Sequence, residues 1–248
     1  MAATPRPLPV PHRLRDLRGL FCFPETALLD ADTLFELGRA PTAELDYLSG
    51  EIPILYVDGI YRDPERVRRE ALALPFEPAP AMYPGRVARV APDDASLTAF
   101  LRNILALVTR HYLPHVRLPP DGRRPGAIKG IDTDFAITDQ RPETLHAEQR
   151  RPHVDAVPVF GLIYLNEVER GGTLFFRPEQ GTRAAARDGY PAAAPGGAGS
   201  LGRIEGRFNR LAIYPGFIPH SGEIAGEWIH GEERLSEPRL TQRLMFFL

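Results

Sequence analysis

Arg151-Pro-His153-Val-Asp155, followed by Val157-Pro-Val-Phe-Gly-Leu-Ile-Tyr164-Leu-Asn166 and Gly171-Gly-Thr173, is the stretch on which the fold of this 248-residue chain turns. Side chains at i and i+2 of an extended segment point to one face, so His153 and Asp155 can reach a single ion. The apolar run behind them has the length and β-branched content of a buried strand, and Gly-Gly marks the turn after it. A third ligand must come from elsewhere. His220 supplies it, standing just past the apolar strand of Asn209-Arg-Leu-Ala-Ile-Tyr-Pro-Gly-Phe-Ile-Pro-His220. Two imidazoles and one carboxylate on one face of Fe(II) leave positions open for a co-substrate and dioxygen, whereas a closed four-ligand site would be structural. His146-Ala-Glu148 and His230-Gly-Glu232 have the same dipeptide form but lack the context of strand, Gly-Gly turn, second strand and distal His.

Outward from this stretch, strands are expected near 131–138, 157–165, 173–177, 207–214 and 239–247, each an alternating or continuous apolar segment between turn residues. The N-terminal half reads differently. Ile54-Leu-Tyr-Val57 is strand-like, Asp63-Pro64 signals an N-cap with Pro at N1, and Ser96 is the expected cap of a helix carrying Leu97, Phe100, Leu101, Ile104, Leu105 and Val108 on one face. Helices followed by strands imply an α+β chain whose C-terminal half, about 131–248, is a sheet sandwich or barrel. Residues 1–20 mix Pro and Arg without period and read as a flexible arm or strap, leaving 21–248 as a single domain. Pro178 to Gly206, rich in Gly, Ala and Pro, reads as a mobile insertion at the mouth of the metal site, where it can serve as a lid.

Composition excludes several classes. A formal net charge of -2 provides no footprint for nucleic acid or an anionic membrane. Cys22 is the only cysteine, so neither an intramolecular disulfide nor a cysteine zinc cluster can form, which fits a reducing, cytoplasmic setting. The opening residues lack a signal-type apolar run, and no stretch is long and apolar enough to span a bilayer. The expected partner is a small molecule or peptide.

With these motifs assembled, residues 150–248 resemble the 2-oxoglutarate/Fe(II)-dependent oxygenases, specifically the prolyl-hydroxylase-like branch and a bacterial group carrying Pro-His-x-Asp and a Gly-Gly-Thr stretch, here Gly171-Gly-Thr-Leu-Phe-Phe-Arg177. The resemblance implies a double-stranded β-helix, a jelly-roll and cupin relative, with supporting N-terminal helices. It implies Fe(II) held by His153, Asp155 and His220, 2-oxoglutarate and dioxygen as co-substrates, and hydroxylation of a C–H bond with release of succinate and carbon dioxide. A basic residue on the last strand binds the distal carboxylate of 2-oxoglutarate in that branch. Arg239, followed by Thr241 and by Phe246-Phe247, matches it; Arg243, on the same strand face, is the alternative. The Tyr before Leu-Asn, Tyr164, reaches the same carboxylate in the branch. The separation of Arg239 from His220 is nearly twice the usual one, which makes Glu223 to Pro238 an inserted loop. Related halogenases lack the carboxylate that Asp155 provides. Two rivals stand beside this reading: a cupin-like metal enzyme without 2-oxoglutarate, and a non-catalytic binding module on the same barrel. Trp228, the single tryptophan, reads first as a packing residue.

Overall fold

The computed structural model of the chain describes residues 12–14, 33–79, 83–90, 94–138, 146, 149, 152–167, 169–177, 200–223 and 238–248. In chain order the elements are β1 (His12–Leu14), β2 (Thr42–Leu48), β3 (Ile52–Asp58), α1 (Pro64–Leu72), β4 (Glu77–Pro78), β5 (Arg86–Arg89), α2 (Ala95–Leu107), β6 (Gly130–Thr138), β7 (Val159–Tyr164), β8 (Thr173–Phe176), β9 (Ser200–Ile204), β10 (Arg210–Pro215), β11 (His220–Gly222) and β12 (Arg239–Phe247). They build a nine-stranded sheet of order β1-β2-β3-β10-β7-β12-β6-β5-β4 and a three-stranded sheet β11-β8-β9. Every registered pair of strands is antiparallel.

The chain alternates between the sheets. It runs through β6 in the large sheet, bridges His153 to His220 at the edge of the small one, returns to β7, crosses to β8 and β9, and comes back to β10. From there β11 lies in the small sheet and β12 in the large one.

Alternation along single strands makes two cores. On β7, Val159 and Ile163 face the helices, while Phe160, Leu162 and Tyr164 face the small sheet. Because both faces are buried, the strand is apolar at every position, which is why its sequence shows a continuous run rather than a period of two. The outer core sets Leu97, Phe100, Ile104 and Leu107 of α2 against Leu55, Val57, Ile163, Leu211, Leu240 and Leu244. The inner core, between the sheets, contains Ile54, Phe160, Leu162, Tyr164, Phe175 and Tyr214.

The first helix starts as its sequence signals. Asp63 caps it by accepting from the Arg66 amide at 3.0 Å, and Pro64 occupies the first turn. The second corrects an expectation: its cap is Asp94, whose Oδ1 accepts from the amides of Ser96 and Leu97 at 2.8 and 3.0 Å. Ser96 lies inside the first turn, donating to the same oxygen at 2.6 Å and accepting from the Phe35 amide at 3.3 Å. A carboxylate two residues upstream reaches both free amides and outcompetes a hydroxyl. After Leu107 the helix widens into a π turn, Val108–Tyr112, and ends in a 3₁₀ turn, Leu113–His115.

Two further expectations change. The order of helices before strands does not hold, because β1 to β3 extend the large sheet on one side and β4 and β5 on the other. Helical and strand segments therefore interleave in the N-terminal half. Of the expected insertion, 200–204 is a strand, paired to β8 from Thr173↔Ile204 to Phe176↔Ser200 with a bulge at Phe175/Phe176. Its Gly and Arg positions hide the period that Leu201 and Ile204 carry in the core. Residues 178–199 of that expectation, and Trp228, lie outside the described residues, as does most of the 1–20 arm apart from β1. No helix among the described residues is long and apolar enough to cross a membrane.

Candidate metal centre

His153, Asp155 and His220 come together between the two sheets, each offering one ligand atom, and these atoms all lie within 4.8 Å of one another. Backbone pairing sets the distances. The amides of His153 and His220 each donate to the other's carbonyl at 2.9 Å, placing the two rings 4.6 Å apart. The Asp155 amide donates to the Gly216 carbonyl at 2.7 Å. Gly216 must lack a side chain, since a Cβ there would stand 2.2 Å from the Val157 carbonyl oxygen and 3.1 Å from Asp155 Cβ. Val154, between the two ligands, points away and is 48% exposed, as the period of an extended segment requires.

The ligand atoms are presented in metal-ready form. His220 Nδ1 donates to the Ile218 carbonyl at 2.8 Å, a bond that leaves Nε2 with its lone pair free. Its ring is walled by Tyr214, Phe175 and Phe160 at 5.0, 5.8 and 6.4 Å between centroids. Nε2 of His220 is 3.2 Å from Asp155 Oδ2, and Nε2 of His153 is 3.9 Å from Oδ1. Asp155 Oδ2 is buried without a hydrogen-bond partner, an arrangement that costs free energy unless a cation completes it. This donor set, nitrogen and oxygen on one side only, fits a non-haem Fe(II) ion with open positions. His146 is exposed and outside this group, its amide bonded to Gln149 Oε1 at 3.0 Å. Glu148, His230 and Glu232 lie outside the described residues.

The residues expected to hold 2-oxoglutarate share the inner face. On β12, Arg239, Thr241, Arg243 and Met245 face the small sheet, with Thr241 opposite Tyr164 and Arg243 opposite Leu162 of β7. Arg239 is 4% exposed. Its Nε donates to the Gly171 carbonyl at 2.6 Å and an Nη to that of Gly172 at 3.2 Å. Among the described residues no carboxylate lies within ion-pair distance of it. The Gly171-Gly172 turn thus cradles a cation with neutral oxygens; at Gly172 a Cβ would meet the Ile204 carbonyl oxygen at 2.0 Å. The Tyr164 ring stands 5.8 Å from the guanidinium carbon, and its hydroxyl shares a hydrogen bond of 2.7 Å with Thr173 Oγ1. Burial pushes the Tyr164 pKa up, with the Arg239 charge and the Thr173 bond opposing it, so the hydroxyl stays protonated. Thr241 Oγ1 and Ser221 Oγ are buried without partners.

Arg243 differs. Its Nε and Nη2 donate to Asp134 Oδ1 and Oδ2 at 2.6 and 2.5 Å, a two-point ion pair across β6 and β12. Thr173 joins the site with no role assigned to it from sequence, and Asp134 and Tyr83, whose ring lies 5.0 Å from the Arg243 guanidinium carbon, flank Arg243. Thr173 stood in plain view in Gly-Gly-Thr; the other two carry no local signal.

Residues 39–194 match the model of a family described as a family of unknown function, DUF6445. No curated protein matches the chain. Among solved structures, it is similar to the non-heme alpha-ketoglutarate-dependent epimerase SnoN from nogalamycin biosynthesis, at 16% identity over 81% of each chain with a TM-score of 0.44. The carbocyclase SnoK from the same biosynthesis follows at 12% identity, 80% of this chain, 81% of that one and a TM-score of 0.38. The Fe(II)/alpha-ketoglutarate-dependent dioxygenase TqaL matches at 14% identity, 75% of this chain, 73% of that one and a TM-score of 0.38. At such identities and scores none of these activities transfers to this chain.

Proposed function

The chain belongs to the DUF6445 family, and we propose that it is a non-haem Fe(II)- and 2-oxoglutarate-dependent oxygenase that hydroxylates an amino acid, a peptide or a small metabolite, releasing succinate and carbon dioxide. One observation carries this reading: an incomplete His-Asp-His ligand set faces the same interior as a buried guanidinium whose hydrogen-bond partners among the described residues are carbonyls alone. A cation held by neutral oxygens in a dry interior gains most from an incoming carboxylate, because a planar guanidinium can donate two parallel charge-assisted bonds to it. A cupin-like metal enzyme working without 2-oxoglutarate has no need of that group.

The passage of the chain to and fro between two antiparallel sheets supports a double-stranded β-helix as the frame. When bound, the metal supplies dioxygen activation coupled to decarboxylation of the 2-oxo acid. His153, Asp155 and His220 hold it on one side. Arg239, Thr241 and the Tyr164–Thr173 hydroxyl pair receive and orient the distal carboxylate. The rings of Tyr214, Phe175 and Phe160 bury His220 and lower the polarity on its side of the centre, which strengthens electrostatic contacts there. A carboxylate at Asp155, which occupies the place a halide would need, argues for hydroxylation over halogenation.

Succinate release measured with and without Fe(II), 2-oxoglutarate and oxygen tests the proposal. Metal-dependent succinate formation is the expected result. Metal binding without any consumption of 2-oxoglutarate would move the chain to the cupin-like reading.

A further inference from the structure

On the inner face of β12, four residues beyond Arg239 and so about 13 Å along the strand, stands a second arginine that the co-substrate reading does not use. We infer that Arg243, Asp134 and Tyr83 form the substrate-recognition site of this centre, and that the substrate presents an ionised carboxylate beside an ammonium group, as a free α-amino acid does. This rests on the oxygenase reading and adds the substrate class to it.

Position is the first ground. Arg243 and Asp134 are paired in register across β12 and β6 and share the face that carries Arg239 and Thr241. One step along that face Met245 stands opposite Phe160, one of the rings around His220. The pair therefore looks into the same interior as the metal ligands, from a position along β12 between Arg239 and the residue that faces Phe160.

Satisfaction is the second. The Arg243 fork spends Nε and Nη2 on Asp134, so its Nη1 has no partner among the described residues. The Tyr83 ring lies against this guanidinium, and the Tyr83 hydroxyl is buried with no hydrogen-bond partner. A buried phenol left unpaired is unfavourable in the free protein and is relieved by a polar ligand. Both side chains of the ion pair are mostly buried, at 19% and 12% exposure. Burying two charges gains little stability over apolar residues of similar volume, since desolvation offsets their attraction. Recognition explains their presence better than folding does.

Charge matching decides the ligand class. The pair is neutral as a whole but polar along its length. A simple anion would meet Asp134, and a simple cation would meet Arg243. A molecule carrying both charges side by side can lay its carboxylate against Arg243 Nη1 and the Tyr83 hydroxyl, and its ammonium against the second lone pairs of Asp134. The carboxylate could also be the one next to the 2-oxo group of the co-substrate, so the test must separate the two sources.

The experiment uses the full chain loaded with Mn(II) in place of iron, titrated calorimetrically first with 2-oxoglutarate and then with the twenty proteinogenic L-amino acids. For those that bind, the N-acetyl and methyl-ester forms follow. At least one amino acid should bind, and each derivative should bind at least roughly 10-fold more weakly, as expected on losing a hydrogen bond to a charged group. The doubly neutral variant Arg243→Gln/Asp134→Asn leaves no lone charge buried. It should weaken amino-acid binding by roughly 10- to 150-fold while keeping 2-oxoglutarate affinity within about 2-fold. Binding of no amino acid, equal binding of the derivatives, or unaltered binding by the variant would each overturn the inference. So would a variant that loses 2-oxoglutarate instead, since Arg243 then serves the co-substrate. Should the variant not fold, the derivative series on the wild-type chain decides alone. A wild-type protein that fails to bind 2-oxoglutarate in the first titration overturns the oxygenase reading itself, and that result is read before any amino acid is added.

Discussion

The two faces of β12 have opposite chemistry. Toward the helices it presents Leu240, Gln242, Leu244 and Phe246, three of them in the outer core. Toward the small sheet it presents Arg239, Thr241, Arg243 and Met245. The one polar side chain among these four is Gln242, whose Oε1 accepts from the buried Tyr61 hydroxyl and whose Nε2 donates to Thr133 Oγ1 at 3.1 Å. It is satisfied from both ends. On the inner face Thr241 Oγ1 is buried with no partner among the described residues, as are Asp155 Oδ2 and the Tyr83 hydroxyl elsewhere in the fold. One face is finished as protein, while the other is finished only by ligands. A strand with period two can thus separate stability from chemistry residue by residue, and variants on the two faces should fail in different ways.

The largest effect is expected at the ligands. His153→Ala, Asp155→Ala and His220→Ala should each abolish stoichiometric Fe(II) binding and succinate release, yet keep the far-ultraviolet circular dichroism of the wild type. His146→Ala is the matched control; loss of iron there, or full iron binding in any ligand variant, breaks the assignment. Next come the outer-face variants Leu244→Ala and Phe246→Ala, which remove fully buried side chains and should each destabilise the fold by about 2–5 kcal/mol in denaturant titrations. At temperatures where they stay folded, their iron affinity should match the wild type. A large loss of iron binding would show that the faces are not independent.

Arg239→Ala should leave iron binding intact and weaken 2-oxoglutarate by roughly 10- to 150-fold, the worth of hydrogen bonds to a charged group. The effect belongs in the apparent affinity for 2-oxoglutarate rather than in turnover at saturation, because the distal carboxylate is held alike before and during the reaction. Lysine at 239 should recover only part, keeping the charge but losing the fork. An unchanged 2-oxoglutarate dependence would sink the anchor. The smallest effect is expected for Tyr164→Phe, about 0.5–1.5 kcal/mol in the same parameter, the net worth of one neutral hydrogen bond. Combined with Arg239→Ala it should be non-additive if both side chains hold one carboxylate; strict additivity would separate their roles.

Much of this was legible in the chain. His153, Asp155 and His220 could be picked out because a metal ligand set is a matter of residue type and strand parity, and both are local. The strands β6, β7, β8, β10 and β12 announced themselves through apolar runs, since burial on one or both faces leaves its mark on every residue. Where the marks were mixed, reading failed: β9 hides among Gly and Arg positions, and the α2 cap at Asp94 was missed because Ser96 has the same local signature. Nothing in a linear pattern ranks one acceptor above another two residues away.

What the sequence by itself determined is therefore the ligand triad, the strand parity that puts Arg239, Thr241 and Arg243 on one face, and the apolar content that requires two packed layers. It left Arg239 and Arg243 as rivals for one carboxylate, because both have the same charge, strand and face. Only the tertiary structure separated their surroundings, by bringing Asp134 of β6 alongside Arg243 and the Gly171 and Gly172 carbonyls alongside Arg239. Those partners lie 109 residues from Arg243 and 67 and 68 residues from Arg239. Pairing across such separations depends on the register of whole strands, which is set by the collective burial of both sheets and is written in no short segment of the chain.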